Sequence, residues 1–277
     1  MARWDAVAVS DGERSPTTPR TRREPPRFRR VAVARVARLG PWMVRVTVAG
    51  PELEGLTVDL PAASVRLLLP VPGQPLVVPT WNGNEFLLPD GSRPTIRTFT
   101  PRHVGDDGVD LDIVVHDGGV ASAWAEAAEP GDPAALAGPG RGYAVDPDAP
   151  AFLLAGDEAA IPAISQLLEL LPVGTPAQVQ IEVAHADARL ELPDRGGTIV
   201  EWSVRPDDAE PGEALVAAVC GTALVPGTRV WVGGEAAAMQ RIRRHLFQEL
   251  GMPRTQATVR GYWKHGRSGD DDGEGET

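Results

Sequence analysis

Residues Arg93 to Arg102, read RPTIRTFTPR, concentrate three arginines, two prolines, three threonines and a phenylalanine within ten positions. The threonine-rich, β-branched setting favours an extended strand. Period-two alternation then sends Arg97, Phe99 and Pro101 to one face and Thr98, Thr100 and Arg102 to the other. An aromatic ring beside guanidinium forks and hydroxyls suits a flat, phosphorylated ligand. Further on, His116-Asp117-Gly118-Gly119 runs into Val120-Ala121-Ser122 and an alanine-rich helix. A glycine turn feeding a helix amino end leaves backbone N–H groups free, which suits a diphosphate. Read alone, the same residues are equally a Ser122 cap and a satisfied strand-end His116.

The elements that must hold these groups fall into two patterns. From Phe28 to about Ala144, short apolar runs (Val31 to Val36, Met43 to Val48, Val65 to Leu69, Thr95 to Thr100, Val109 to Val115) alternate with Gly/Pro turns and predict a small antiparallel barrel or sandwich, interrupted by a helix over Val120 to Ala128. From Ala151, strand and helix alternate: strands at Ala151–Ala155, Val179–Val183, Thr198–Val204, Arg229–Val232 and Thr255–Trp263, with helices over Glu158–Leu171, Glu213–Cys220 and Glu235–Leu250. Ile161, Ile164, Leu167, Leu168 and Leu171 form one stripe, and Met239, Ile242, Leu246 and Leu250 another. This predicts a parallel sheet with crossover helices and ligands at the carboxyl ends of its strands. The fold expected is therefore an α+β two-domain chain, an antiparallel β-barrel followed by a Rossmann-like α/β domain.

The boundaries that follow are a flexible basic arm over residues 1–26, the β domain over 27–148, the α/β domain over 149–266 and a disordered acidic tail over 267–277. The arm holds Arg14, Arg20, Arg22 and Arg23, and the tail holds Asp270, Asp271 and Asp272. A net charge of −11 disfavours nucleic acid as a partner. Cys220 is the one cysteine, which excludes an internal disulfide, a four-thiolate iron–sulfur cluster and a zinc ribbon. No protein-bound metal is expected, because no cluster of His and carboxylates has ligand spacing. Without an apolar signal core or a long apolar run, a cytoplasmic location and no membrane partner are expected; a monomer is the expected state, although no motif in the sequence fixes it.

Arg97-Thr98-Phe99-Thr100-Pro101-Arg102 resembles the R-x-Y-T-x-R flavin signature of the siderophore-interacting protein family, relatives of ferredoxin reductases. HDGGVASAWA (116–125), AGDEAAIPAI (155–164), WVGGEAAAMQRIRRHL and GYWKHG resemble the same family in the same order. The resemblance spans most of residues 28–266. It implies FAD as cofactor, NADPH or NADH as electron donor, and a ferric siderophore as substrate and partner. Arg97 then takes the flavin pyrophosphate, with Thr98 beside it, and Thr100 lies near the reactive flavin nitrogen and is the catalytic candidate. Phe99 stands where the family has tyrosine, keeping a ring to stack but losing the phenol. His116, Gly119, Val120, Ala121 and Ser122 surround the flavin phosphates. Gly156, Asp157 and Glu158, with Gly234 and Glu235, line the nicotinamide pocket; Trp263 is a further cofactor-binding candidate, and Ala159 replaces a common threonine. Arg66, Arg141 and Lys264 are the candidates for attracting anionic chelates; each alone also reads as a solvated surface charge. Beside a ferric-siderophore reductase stand a flavin reductase or diaphorase with another acceptor and a non-catalytic siderophore-binding protein. Arg189 could meet a 2′-phosphate and Asp187 a ribose diol, which leaves NADPH against NADH open.

Overall fold

The structure, a computed structural model, describes residues 25–266. The basic arginines at 14, 20, 22 and 23 and the acidic run at 270–272 lie outside the described residues. The first half of the chain supplies β1 (Arg29–Gly40), β2 (Met43–Ala49), β3 (Val65–Leu68), the short hairpin β4 (Thr80–Trp81) and β5 (Phe86–Leu87), β6 (Ile96–Phe99), β7 (Pro101–Gly105), β8 (Gly108–Val114), α1 (Val120–Ala127) and β9 (Pro133–Ala137). Seven of these strands form an antiparallel sheet in the order β6-β3-β9-β1-β2-β8-β7. Its two edges, β6 and β7, are consecutive in sequence and do not pair with each other. The expected barrel is thus a half-barrel whose open seam is crossed by the chain at Thr100.

Alternation builds its core. Val31, Val33, Val44, Val46, Val48, Val65, Leu67, Val109, Leu111, Ile113 and Leu136 all turn inward into one buried cluster. Each fully buried aliphatic of this kind contributes about 1.5–3 kcal/mol relative to exposure. The outer face of β3 and β9 is covered separately, with Phe28, Leu68, Leu76, Ala135 and Ala137 packed beneath Phe86 and Ile96.

The second half supplies β10 (Phe152–Gly156), a 3-10 turn at Glu158–Ala160, α2 (Ile161–Leu170), β11 (Ala177–Val183), β12 (Thr198–Val204), α3 (Glu213–Gly221), β13 (Arg229–Glu235), α4 (Ala236–Arg244) and β14 (Ala257–Trp263). The sheet is parallel in the order β12-β11-β10-β13-β14. β10 is buried on both faces: Phe152 and Leu154 meet α2, while Leu153 and Ala155 meet α3 and α4. The chain leaves β10 toward β11 and β12 and later returns to β13 on the other side. The topological switch point, where doubly wound sheets bind ligands, therefore lies between β10 and β13. The predicted stripe on the last helix holds for Met239, Ile242 and Leu246 but not for Leu250, which is 53% exposed. A π-turn at His245–Glu249, with the Leu250 amide donating to the His245 carbonyl, rotates that residue off the stripe.

Polar contacts tie the two sheets together. Gln166 on α2 donates to the Pro101 carbonyl at 2.6 Å and accepts from the Ala62 amide at 2.8 Å. Arg260 on β14 donates to the carbonyls of Ala62 (2.7 Å), Arg141 (3.0 Å) and Gly142 (2.8 Å). Ala62 is buried with a φ of 53°, a left-handed conformation unusual for a residue with a Cβ. Both of its backbone polar groups are thus held by side chains from the other half of the chain. On the far side, Trp42 stacks on His185 at 4.0 Å and donates its indole N–H to Asp187 at 2.7 Å.

Candidate functional site

The seam strand β6 lies against β3 in the register Val65↔Phe99, Arg66↔Thr98, Leu67↔Arg97. Directly paired residues share a face, so Arg97 and Phe99 belong to the inward side with Leu67 and Val65. Thr98 and Arg66 stand together, exposed, on the outer side. Phe99 is half-buried against the half-barrel core, where Ala121 and Trp124 of α1 also pack. The strand end and the helix start therefore pack against the same core cluster. Arg97 NH1 donates to the Ile96 carbonyl at 2.9 Å. The predicted alternation stops at Thr100: Thr100 and Pro101 are both buried, because the second sheet covers them. The Thr100 hydroxyl lies 3.3 Å from the Tyr262 phenol of β14, and Arg102 pairs with Glu169 at 2.5 Å.

At the start of α1, Gly118 adopts a φ of 77°. A Cβ on Gly119 would stand 2.7 Å from both the His116 ring and the Ser122 hydroxyl. Ser122 is buried; its hydroxyl donates to the Val114 carbonyl at 3.1 Å and accepts from the His116 amide at 3.2 Å. The hydroxyl thus staples the turn to β8, and what the turn offers a ligand is its first-turn backbone, the amides of Val120, Ala121 and Ser122. His116 is exposed, with Nδ1 3.1 Å from the Asp117 carbonyl.

At the switch point Gly156 and Gly233 sit side by side in register. A Cβ on Gly156 would meet Ala160 Cβ at 2.4 Å and the Gly233 carbonyl at 2.7 Å, so the crevice between β10 and β13 requires glycine there. Above it lies Asp157, 4% exposed. Its Oδ1 accepts from the Ala159 amide at 3.0 Å, and its Oδ2 accepts from the Glu235 amide at 3.0 Å and the Trp263 indole at 2.7 Å. Burial, with the neighbouring Glu158 charge second, pushes its pKa up to about 7. Glu158 accepts from the Ala184 amide, and burial raises its pKa too. Glu235 caps α4 through the Ala238 amide at 2.9 Å and holds the His265 amide at 3.2 Å. The acidic groups at these two turns are largely committed to backbone donors, so they build the crevice walls more than they face a ligand.

Arg66 and Arg141 are brought close through backbone. The Gly140 amide donates to the Ser64 carbonyl at 2.7 Å and the Tyr143 amide to the Pro61 carbonyl at 2.8 Å. Lys264 lies just beyond β14, on the other half of the chain. All three side chains are exposed and form no ion pair among the described residues. Sequence reasoning does not find Gln166, Arg260 or Tyr262. The available signal is the period-two spacing of Arg260 and Tyr262 on a strand whose neighbouring Trp263 and Lys264 it does single out.

Residues 149–266 match the family described as "Siderophore-interacting protein", and residues 32–143 match the "Siderophore-interacting FAD-binding domain". The chain belongs to the siderophore-interacting protein family. This siderophore-interacting protein is 31% identical to the NADPH-dependent ferric-chelate reductase of Escherichia coli, over 90% of this chain and 98% of that one. It is 41% identical to an uncharacterized protein of Mycobacterium tuberculosis, Rv2895c, over 65% of this chain and 69% of that one. The solved structure of a siderophore utilization protein from T. fusca matches with a TM-score of 0.78 and 34% identity, covering 88% of this chain and 95% of that one. Among the described residues, no helix is long and apolar enough to cross a membrane, and no group of three His, Cys, Asp or Glu is placed to hold a metal ion.

Proposed function

We propose that this protein is an FAD-dependent NAD(P)H oxidoreductase that reduces Fe(III) in a siderophore chelate and so releases Fe(II). The observation that carries this reading is the Thr100–Tyr262 contact, which joins the seam strand of the half-barrel to the strand flanking the dinucleotide crevice. A cofactor on β6 and a nucleotide at Gly156 and Gly233 would thereby share a wall. The chemistry of the donor set fits FAD: a guanidinium, a half-buried ring and three first-turn amides lie on elements, β6 and α1, whose Phe99 and Ala121 pack on the same core.

FAD, when bound, supplies the conversion between a two-electron hydride donor and one-electron acceptors. Arg97 would hold the FAD phosphate oxygens through charge-assisted hydrogen bonds, aided by the amides of Val120, Ala121 and Ser122. The Thr100 hydroxyl, fixed beside Tyr262, offers a hydrogen bond at the reacting edge. Buried Pro101, held by half-buried Gln166, excludes water from that edge. Arg66, Arg141 and Lys264 attract an anionic chelate to the mouth of a protein whose overall charge repels it. Ferrous iron binds hard oxygen chelators weakly, so reduction releases it. Arg189 and Arg205, past the ends of β11 and β12, favour a 2′-phosphate, because Asp187 already accepts from Trp42.

The test is steady-state oxidation of NADPH and NADH with a panel of ferric chelates and a ferrous trap. Iron-dependent oxidation that forms the trapped ferrous complex supports the reading, and a colourless protein that takes up no FAD refutes it. An Arg66→Glu/Lys264→Glu variant should raise the KM for anionic chelates while leaving a neutral acceptor unaffected. Equal losses with both acceptors would remove these residues from the substrate mouth.

A further inference from the structure

Asp157 occupies the place where a nucleotide-binding carboxylate is expected, yet its geometry turns it away from any ligand. Its two oxygens take three donors from three segments: Ala159 in the turn after β10, Glu235 at the junction of β13 and α4, and Trp263 at the end of β14. The shortest of these bonds, 2.7 Å, goes to the Trp263 indole. The crevice closes tightly around the carboxylate, since a Cβ on Gly234 would stand 2.7 Å from Oδ2. Trp263 has the opposite disposition. It is 36% exposed, its ring standing at the carboxyl end of a parallel strand while its indole N–H points down to the buried Asp157 carboxyl group. An indole at a strand end has several staggered orientations, and a hydrogen bond to a fixed, buried acceptor selects one of them.

We propose that Asp157 is a positioning residue for hydride transfer, acting on the nicotinamide nucleotide only through Trp263, whose ring it fixes as a wall at the mouth of the Gly156/Gly233 crevice. This rests on the oxidoreductase reading above and adds to it a division of labour. The carboxylate that sequence pattern assigns to the nucleotide serves the aromatic ring, and the ring serves the nucleotide. A single anchor also explains why Gly234 precedes the capping Glu235: the amide of Glu235 and the indole of Trp263 share one oxygen atom, and any side chain at 234 would displace it.

The experiment uses FAD-loaded protein, with Asp157→Asn, Trp263→Phe and the double variant compared with the parent. The indole N–H resonance of Trp263, assigned by its loss in Trp263→Phe, reports the bond directly, and titration with NADP⁺ and NAD⁺ reports its link to the nucleotide. The expected result has three parts. Asp157→Asn moves the indole resonance upfield. Each single variant raises the KM for NAD(P)H by about tenfold, the scale of one lost charge-assisted hydrogen bond. The double variant is no worse than the poorer single, because both break the same link. Additive effects, or an indole resonance unmoved by Asp157→Asn, overturn the proposal and leave Asp157 a structural tie. Should Asp157→Asn fail to fold, Trp263→Phe breaks the same bond from the other end and keeps both backbone contacts of the carboxylate; an unchanged nucleotide affinity in that variant then overturns the proposal. The failures are distinguishable. If Trp263→Phe raises the KM and Asp157→Asn does not, positioning by Asp157 alone falls. If Trp263→Phe leaves the KM unchanged, the nicotinamide does not lie against Trp263, and the proposal falls with that placement.

Discussion

Arg260→Ala should loosen the mouth of the half-barrel without disturbing either core. The guanidinium donates to three carbonyls, those of Ala62, Arg141 and Gly142, at 2.7, 3.0 and 2.8 Å. Hydrogen bonds to charged donors contribute about 1.5–3 kcal/mol each, which sets an upper limit of about 4.5–9 kcal/mol. The Arg141 loop is open to solvent, so its carbonyls regain water when the side chain is removed, while the buried Ala62 carbonyl does not. A net loss of about 2–4 kcal/mol follows, or a fall of about 5–15 °C in melting temperature for a chain of this size. Arg260→Lys keeps the charge but not the planar fork, and should fall between parent and Ala. The assay is thermal unfolding of the FAD-loaded protein, paired with the KM for an anionic ferric chelate, which should rise because Arg141 is no longer held. An Arg260→Ala variant melting within about 1 °C of the parent would refute the view that β14 clamps the loops of the first sheet.

Arg97→Ala should weaken FAD binding by about 10–100-fold through loss of a charge-assisted phosphate contact, measured by flavin fluorescence; undiminished occupancy would remove Arg97 from the phosphate site. Glu182 is buried and accepts the amides of Gly212 (2.6 Å) and Leu215 (2.9 Å) at the start of α3. Glu182→Ala strands both donors and should cost about 3–5 kcal/mol in denaturant unfolding, with catalytic constants little changed in the folded fraction. The pKa of Asp157 is raised from 3.8 to about 7, by burial first and then by Glu158 and Glu182, with Glu235 and Tyr262 also packed around it. The folded protein therefore holds this proton more tightly than the unfolded chain. The resulting stability is full below about pH 4 and lost as pH rises through about 7, by at most about 1.4 kcal/mol per unit. Asp157→Asn should flatten that slope in unfolding measured from pH 5 to 8, and an unchanged slope would show that Asp157 is ionised throughout.

Much of the fold is legible where valines alternate, as in Val44, Val46 and Val48, because one face is buried and the other wet. β9 is not legible: Ala134, Ala135, Leu136 and Ala137 are all buried between β1 and β3, and apolar residues on both faces leave no period to read. β7 begins on a proline, and β4 and β5 are two residues long, too short for alternation to register. At the candidate site, local motifs mark the glycine turns at Gly118, Gly156 and Gly233, since each needs only its neighbours, and they single out Arg97 as a proposal. The contact of Arg260 with Ala62 joins residues 198 positions apart, and nothing local marks either partner. Asp157 shows the opposite limit: its position in the motif is legible, while the direction its oxygens face depends on Glu235 and Trp263 arriving from later strands.

The clamp on Ala62 has a consequence for the order in which the molecule is made. Everything needed for the first sheet emerges before residue 138, yet both polar groups of Ala62 wait for Gln166 and Arg260, and Thr100 waits for Tyr262. During synthesis the half-barrel can collapse as soon as it appears, with its seam and the Ser64 and Arg141 loops still unfastened. Among the described strands β14 arrives last, and it brings Arg260, Tyr262 and Trp263 together. Competence to hold both nucleotides should therefore appear late and all at once, when a single strand slots in beside β13.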